Sequence, residues 1–227
     1  MRDKRHYGQF CGLAAGLDIV GERWTFLILR ELLLAPARFS EIAENLPGIG
    51  PNLLSERLRT LTVRGLIEAE PVPGDGRGKR YRLTELGEQL RGPLLDLARW
   101  GMRFLSEKDT SGISRGAWGF LAVQAMMHGV DVPPDVNETY EFHVDEDVFG
   151  VQLAGGKATA VRGAVVDPAI VVRTDANTFI KIGAEIITPF EAVLSGALRI
   201  EGDTAAAQRC ARLLGLSQPG VVALTGN

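Results

Sequence analysis

Between Trp24 and Thr84 the chain alternates helical and extended patterning in an order that few folds accept. Trp24 to Leu34 (WTFLILRELLL) is a helical run, and a short second helix is expected from Ser40 (SEIAENL), with Ser40 as its N-cap. A Pro-Gly-Ile-Gly-Pro turn leads into a third helix over Asn52 to Arg64 (NLLSERLRTLTVR). Gly65-Leu66-Ile67 then opens a strand, and a glycine-rich tip at Gly74 to Gly78 returns the chain through Lys79 to Thr84. Two helices across a tight turn followed by a hairpin describe a winged helix-turn-helix.

The third helix carries the physical argument. Leu54, Leu58 and Leu61 recur at helical spacing and make one apolar stripe facing a core. At about 100° per residue, Asn52, Ser55, Glu56, Arg59 and Thr62 fall on the other side. Any surface helix has a polar outer face, so this pattern alone does not identify a ligand. The hairpin that follows is more specific. Arg77, Lys79, Arg80 and Arg82 crowd a Gly-Asp-Gly-Arg-Gly tip, a charge and shape suited to a duplex backbone. Asn52, Ser55 and Arg59 are then candidates for base edges, with Arg57 at their flank. Arg38, Ser40, Lys79 and Arg80 are candidates for phosphates, with Arg77 at the wing tip reaching a minor groove.

Charge is distributed accordingly. The chain has a net charge of −3, but residues 1–108 hold 17 Lys and Arg against 14 Asp and Glu, while residues 109–227 hold 8 against 14. The basic excess sits in the half that carries the helix-turn-helix, and double-stranded DNA is the expected partner.

Several motifs in the right order place this half in a family. Phe10-Cys11, Gly21-Glu22-Arg23-Trp24, Ile28-Leu29-Arg30-Glu31-Leu32, Arg38-Phe39-Ser40-Glu41-Ile42, Pro47-Gly48-Ile49, Leu54-Ser55-Glu56-Arg57-Leu58-Arg59 and Tyr81-Arg82-Leu83-Thr84-Glu85-Leu86-Gly87 resemble the HxlR family of bacterial transcriptional regulators. The resemblance covers roughly residues 8–105. It implies a homodimer with one recognition helix and one wing per subunit, and repression as the usual mode. It also supports Arg38 as a backbone contact. Cys11 has two readings, a small buried hydrophobe or, as in some regulators of this kind, a sensor of oxidants or aldehydes. Arg2, Lys4, Arg5 and Arg23 are the nearby cations that would activate it, and residues 2–8 read as a basic arm.

Thr84 is the expected N-cap of a helix from Glu85 to about Leu105, kinked at Pro93. Leu90, Leu94, Leu97, Trp100 and Phe104 on that helix are assigned to a dimer interface, the alternative being contact with the chain's own second domain. A polar stretch at 106–112 (SEKDTSG) separates residues 1–108 from a second domain over 109–227.

The second domain reads as α+β, an antiparallel sheet covered by helices. A helix is expected over Ile113–His128. Short strands follow at Glu138–Val144, Val148–Leu153, Lys157–Arg162 and Ala169–Arg173, the first three a meander. Helical pieces at Asp175–Ala184 and Pro189–Leu194, a strand at Ala197–Glu201 and a helix at Thr204–Leu214 complete it. The run TPFEAVLSGALRIEGD, with VVRTDANTFIKIGAE before it, is similar to the end of a sterol-carrier-protein-type lipid-binding domain. That resemblance, over about 138–216, implies an apolar tunnel for a small-molecule or lipid effector. Met126, Met127, Phe142, Phe149, Phe179, Ile180, Ile182 and Phe190 are the candidates to line it, each also suited to an ordinary core.

Little else points to chemistry. Cys11 and Cys210 lie at opposite ends, the three histidines are scattered, and no nucleophile elbow, P-loop or dinucleotide fingerprint is present. No metal, no cofactor and no enzymatic activity are expected. No apolar run reaches membrane-span length and no signal-peptide core follows the N-terminus, so a cytoplasmic protein is expected. A rival from another class remains, a lipid carrier or scaffold whose winged helix contacts protein.

Overall fold

A computed structural model describes residues 6–72 and 74–216. Two compact units meet between Leu94 and Leu95. The expected arm at residues 2–8 lies largely outside the described residues.

The first unit begins with α1 (Gly12–Val20) and α2 (Thr25–Leu34), then a two-residue strand β1 (Ala37–Arg38), α3 (Phe39–Asn45) and α4 (Pro51–Val63). The wing hairpin is β2 (Ile67–Val72) and β3 (Asp75–Leu83). β3 pairs antiparallel with both β1 and β2, so the sheet runs β1-β3-β2. The core is the predicted one: Leu54, Leu58 and Leu61 of α4 are buried with Ile28, Leu29, Ile42 and Ile67. Pro51 occupies the first turn of α4, where a missing N–H leaves no helical bond unmade.

Two local expectations change. Ser40 is not a cap: α3 starts one residue earlier, with Arg38 at the N-cap position. Its backbone N–H donates to the Glu41 carboxylate (2.6 Å), so the glutamate three residues on defines the helix start. The long helix from Glu85 is instead two, α5 (Glu85–Glu88) and α6 (Arg91–Gly101), followed by a 3-10 turn at Met102–Phe104. Pro93 therefore makes no kink; it lies in the first turn of α6, where no intrahelical acceptor awaits its nitrogen. Thr84 caps α5 as expected, its hydroxyl accepting the Gly87 N–H at 3.1 Å.

The second unit follows α6 with α7 (Gly116–Met127), β4 (Glu138–Val144), β5 (Asp147–Ala154), β6 (Lys157–Arg162) and β7 (Ile170–Thr174). Then come α8 (Ala176–Gly183), α9 (Pro189–Leu194), β8 (Leu198–Gly202) and α10 (Thr204–Leu213). Asp175, Thr188 and Asp203 each accept a backbone N–H from the first turn of the helix they cap. The five-stranded sheet has the order β6-β5-β4-β7-β8. It is mixed rather than antiparallel, because β7 lies parallel to β4 while every other neighbour is antiparallel.

That parallel pair requires the chain to pass back from β6, at one edge, to the far side of β4. Residues 163–169 make the passage as a strap. Val165 packs against Gly150 so closely that a Cβ there would sit 2.2 Å from its Cγ1. The Val165 N–H donates to the buried Glu141 carboxylate at 3.0 Å, and Thr139 Oγ1 donates to Val166 and Asp167 carbonyls. On the helical face of the sheet, Phe142 stacks on its register partner Phe149 at 5.4 Å, and Phe179 of α8 meets both edge-on.

Candidate nucleic-acid interface and apolar cavity

In the first unit, burial of the leucine stripe leaves Asn52, Ser55, Glu56 and Arg59 exposed on α4. Arg59 makes no hydrogen bond or ion pair among the described residues. Arg57, grouped with it on the sequence, is placed differently. Its side chain is only 13% exposed, with Nη2 2.8 Å from Glu22 and Nη1 3.3 Å from Glu56, while Nε donates to the Arg23 carbonyl at 3.3 Å. Those bonds hold the turn before α2, where Trp24 sits at φ 77°, a conformation that strains a bulky residue by roughly 1–3 kcal/mol. The Gly21-Glu22-Arg23-Trp24 motif is therefore tied to α4 through Arg57.

The wing is a ladder of cross-strand ion pairs. Arg80 Nε lies 2.6 Å from Glu70, Arg82 reaches Glu68 at 2.6 Å and Glu70 at 3.3 Å, and Arg38 meets Asp75 at 2.9 Å. Lys79 is exposed and makes no ion pair among the described residues. Ser40 is exposed in the first turn of α3. The side chain of Arg77 lies outside the described residues.

Two features of this unit were not anticipated. Glu31 is buried, with Arg30 Nη2 at 2.8 Å and Asn45 Nδ2 donating at 2.9 Å. A glutamate flanked by leucines on the core side of α2 was the available signal. Cys11, read either as a small buried hydrophobe or as a reactive sensor, is exposed at the N-cap position of α1. Hydrogen bonding from the Ala14 and then the Leu13 backbone holds its thiol pKa below the ordinary value.

Large apolar side chains are exposed in both units. Phe10, just before α1, and Leu13 and Leu17 on it are so. In the second unit Leu97, Trp100 and Phe104 are, with the last two rings 4.7 Å apart. Leu94 and Leu95, by contrast, are buried.

The second unit contains an apolar cavity between the sheet and its helices. Its volume is about 80 Å³. Of the candidates, Met126, Phe142, Phe179, Ile180 and Ile182 line it. Met127 and Phe149 do not: Met127 is buried in the helix packing, and Phe149 lies behind Phe142 against α7. Phe190 points outward, and Pro189 beside it forms the wall. Met102, Ile170, Val172, Leu198, Cys210 and Leu214 were not singled out on the sequence; they come from elements whose facing sides only the sheet order reveals. Burial pushes the Cys210 thiol up to about 12, so it behaves as one more apolar wall.

Among the described residues no group of three His, Cys, Asp or Glu could hold a metal ion. No helix among them is long and apolar enough to cross a membrane.

Residues 19–109 match the model of the HxlR-like helix-turn-helix family. An HTH-type transcriptional regulator of Bacillus subtilis, YodB, is 32% identical over 98 residues, which are 43% of this chain and 88% of that one. The chain belongs to the HxlR-like family. An HTH-type regulator of Mycobacterium tuberculosis is 44% identical over 101 residues, 44% of this chain and 62% of its own length. The chain thus spans less than two thirds of that relative. PA1607, a solved structure described as a candidate transcription factor, aligns with a TM-score of 0.42 and 33% identity, covering 48% of this chain and 76% of that one. Residues 134–215 match the SCP-2 sterol transfer family. An HxlR-type winged helix and a sterol-carrier-type domain are therefore joined in one polypeptide.

Proposed function

We propose that the protein is a homodimeric, sequence-specific DNA-binding transcriptional repressor whose second domain takes an apolar effector. The observation that carries this reading is the exposed polar face of α4, Asn52, Ser55 and Arg59, over a fully buried leucine stripe. A helix so presented fits a major groove, and two copies would read successive grooves of a palindromic site about one turn apart. Lys79, Arg80, Arg38 and Ser40 would hold phosphates, with Arg77 at the wing tip. Arg57 is not a base reader in this reading; it positions α4. The exposed apolar residues of α1 and α6 would pair with a second copy. An effector in the cavity regulates only if it prefers one of two states, since equal affinity for both shifts nothing.

The test is fluorescence anisotropy with the DNA upstream of the protein's own gene against a scrambled duplex, at two salt concentrations. Preferential binding to the upstream DNA, with an affinity that falls steeply with salt, is the expected result. No preference there, and none in a genome-wide selection of bound fragments, would refute it in favour of a carrier or scaffold role.

A second reading, in which Cys11 is the sensor, is favoured by its exposure and its lowered pKa. Loss of an oxidant response in Cys11→Ser, with DNA binding intact, would establish it.

A further inference from the structure

The apolar cavity continues into an annex of about 60 Å³ with which it shares Ile182, Pro189 and Leu216 as walls. Among the described residues no side chain lining the main cavity carries a charge, and its one S–H belongs to Cys210, so within the lining the polar end of an amphiphilic ligand would be met in the annex. Glu185, Ile187, Thr188 and Gly215 complete the annex lining.

A donor count decides what that end can be. Among the described residues, every backbone N–H lining the annex is already spent. Ile182 lies within α8, the Glu185 N–H goes to the Ile182 carbonyl (3.0 Å) and that of Ile187 to Lys181 (3.5 Å). The N–H groups of Gly215 and Leu216 go to Arg212 (3.0 Å) and Ala211 (2.8 Å), and Pro189 has none. Thr188 gives both its N–H (2.7 Å) and its hydroxyl (2.9 Å) to Glu191. Lys181, the cation nearest in sequence, is not in the lining and lies 3.7 Å from Glu107. The annex is left with acceptors: carbonyl oxygens and the exposed Glu185 carboxylate, which has no partner among the described residues. Among the described residues a carboxylate or phosphate placed there would find no donor and one like charge, whereas a hydroxyl would find an acceptor and an ammonium both an acceptor and the opposite charge.

We infer that the cavity takes an apolar chain whose polar end is a hydrogen-bond donor, an amine before an alcohol, and that Glu185 excludes anionic amphiphiles. This rests on the cavity being a ligand site, as proposed above.

The experiment uses the full chain loaded with N-phenyl-1-naphthylamine, a neutral apolar fluorophore, displaced at pH 7 by decylamine, decanol or decanoate below their aggregation concentrations. Decylamine should displace the probe at about tenfold lower concentration than decanoate, with decanol between them. That gap is modest because an exposed carboxylate contributes only about threefold to each partner. Glu185→Gln should shrink the amine-to-carboxylate gap to less than about threefold and leave decanol unchanged. Equal or tighter binding of decanoate, or an unchanged gap in Glu185→Gln, overturns the assignment of Glu185 while the cavity stands. Loss of probe uptake in Ala211→Trp, which fills the cavity, ties the signal to this site; undiminished uptake in that variant, or no displacement by any of the three, overturns the cavity reading and the head-group assignment with it.

Discussion

Three arginine and lysine positions that look alike on the sequence should separate when replaced by alanine. Arg59 is exposed and without an ion pair among the described residues, so Arg59→Ala should leave stability unchanged within about 0.5 kcal/mol. It should weaken binding to the cognate site by about 1–3 kcal/mol and relax discrimination at one base position. Lys79→Ala should weaken cognate and scrambled duplexes alike and reduce the salt slope by about 1. Arg57→Ala should act on the fold. It removes two ion pairs and one bond to a carbonyl from a side chain only 13% exposed, but Glu22 and Glu56 are more than half exposed and are resolvated. The net loss is then about 1–2 kcal/mol, or roughly 4–16 °C in the melting of a unit near one hundred residues. Thermal denaturation and anisotropy on the same three proteins make the comparison. If Arg57→Ala loses DNA affinity at an unchanged melting temperature, or Arg59→Ala melts early with binding intact, the assignment of the two side chains is reversed.

Other consequences are checked separately. Leu58→Ala, at a position 1% exposed, should cost about 2–5 kcal/mol by urea denaturation and abolish DNA binding at temperatures where wild type is active. Trp100→Glu, on the exposed apolar face of α6, should weaken self-association at least thirtyfold (about 2 kcal/mol) by sedimentation, with the monomer still folded. Glu141 is subject to desolvation, which raises its pKa, but the bonds from His143 (2.7 Å) and the Val165 N–H outweigh it, so the folded pKa lies below the ordinary 4.5. Its contribution is therefore present above the unfolded pKa and lost as pH falls through the folded one. Glu141→Gln should be less stable than wild type by about 2 kcal/mol at pH 7, the difference closing in acid; a constant difference across pH would refute the role of the charge.

Much of the winged helix was legible because its determinants are local. The Leu54–Leu58–Leu61 stripe, the proline at the start of α4 and the Thr84 cap each act within a few residues. Every strand of the second domain was placed to within about two residues for the same reason. What escaped depends on partners distant in sequence. The parallel pairing of β4 with β7 is set by where the 163–169 strap can pack, and nothing in either strand announces its neighbour. Arg57 belongs with Glu22 and Arg23, more than thirty positions away, so helical spacing could place it only at the flank of the exposed face. Phe149 and Met127 failed as cavity lining because an apolar residue on the correct face can still lie behind another. Pro93 was read as a kink when its position in the first turn of α6 makes it harmless.

The wing's ion-pair ladder bears on how such a domain balances specificity against general attraction to DNA. Each wing arginine that pairs with a carboxylate across the hairpin is withheld, in part, from phosphate. Glu70 is the key position, since its two oxygens lie 2.6 Å from Arg80 and 3.3 Å from Arg82. Both arginines are nearly half exposed, so each pair is worth little to stability, and Glu70→Gln should change the melting temperature by no more than about 3 °C. Its effect on DNA should be larger. The Arg80 guanidinium freed toward the backbone, with Arg82 still held by Glu68 at 2.6 Å, would steepen the salt slope by up to about 1 and tighten binding to every duplex several-fold at low salt. Because phosphates carry no sequence information, cognate and scrambled DNA should gain equally, so the ratio of their affinities stays fixed while both rise. Anisotropy titrations of Glu70→Gln over a salt series measure both quantities. A selective gain for cognate DNA would mean that Arg80 or Arg82 reads bases; no gain at all would mean that the hairpin does not approach the duplex.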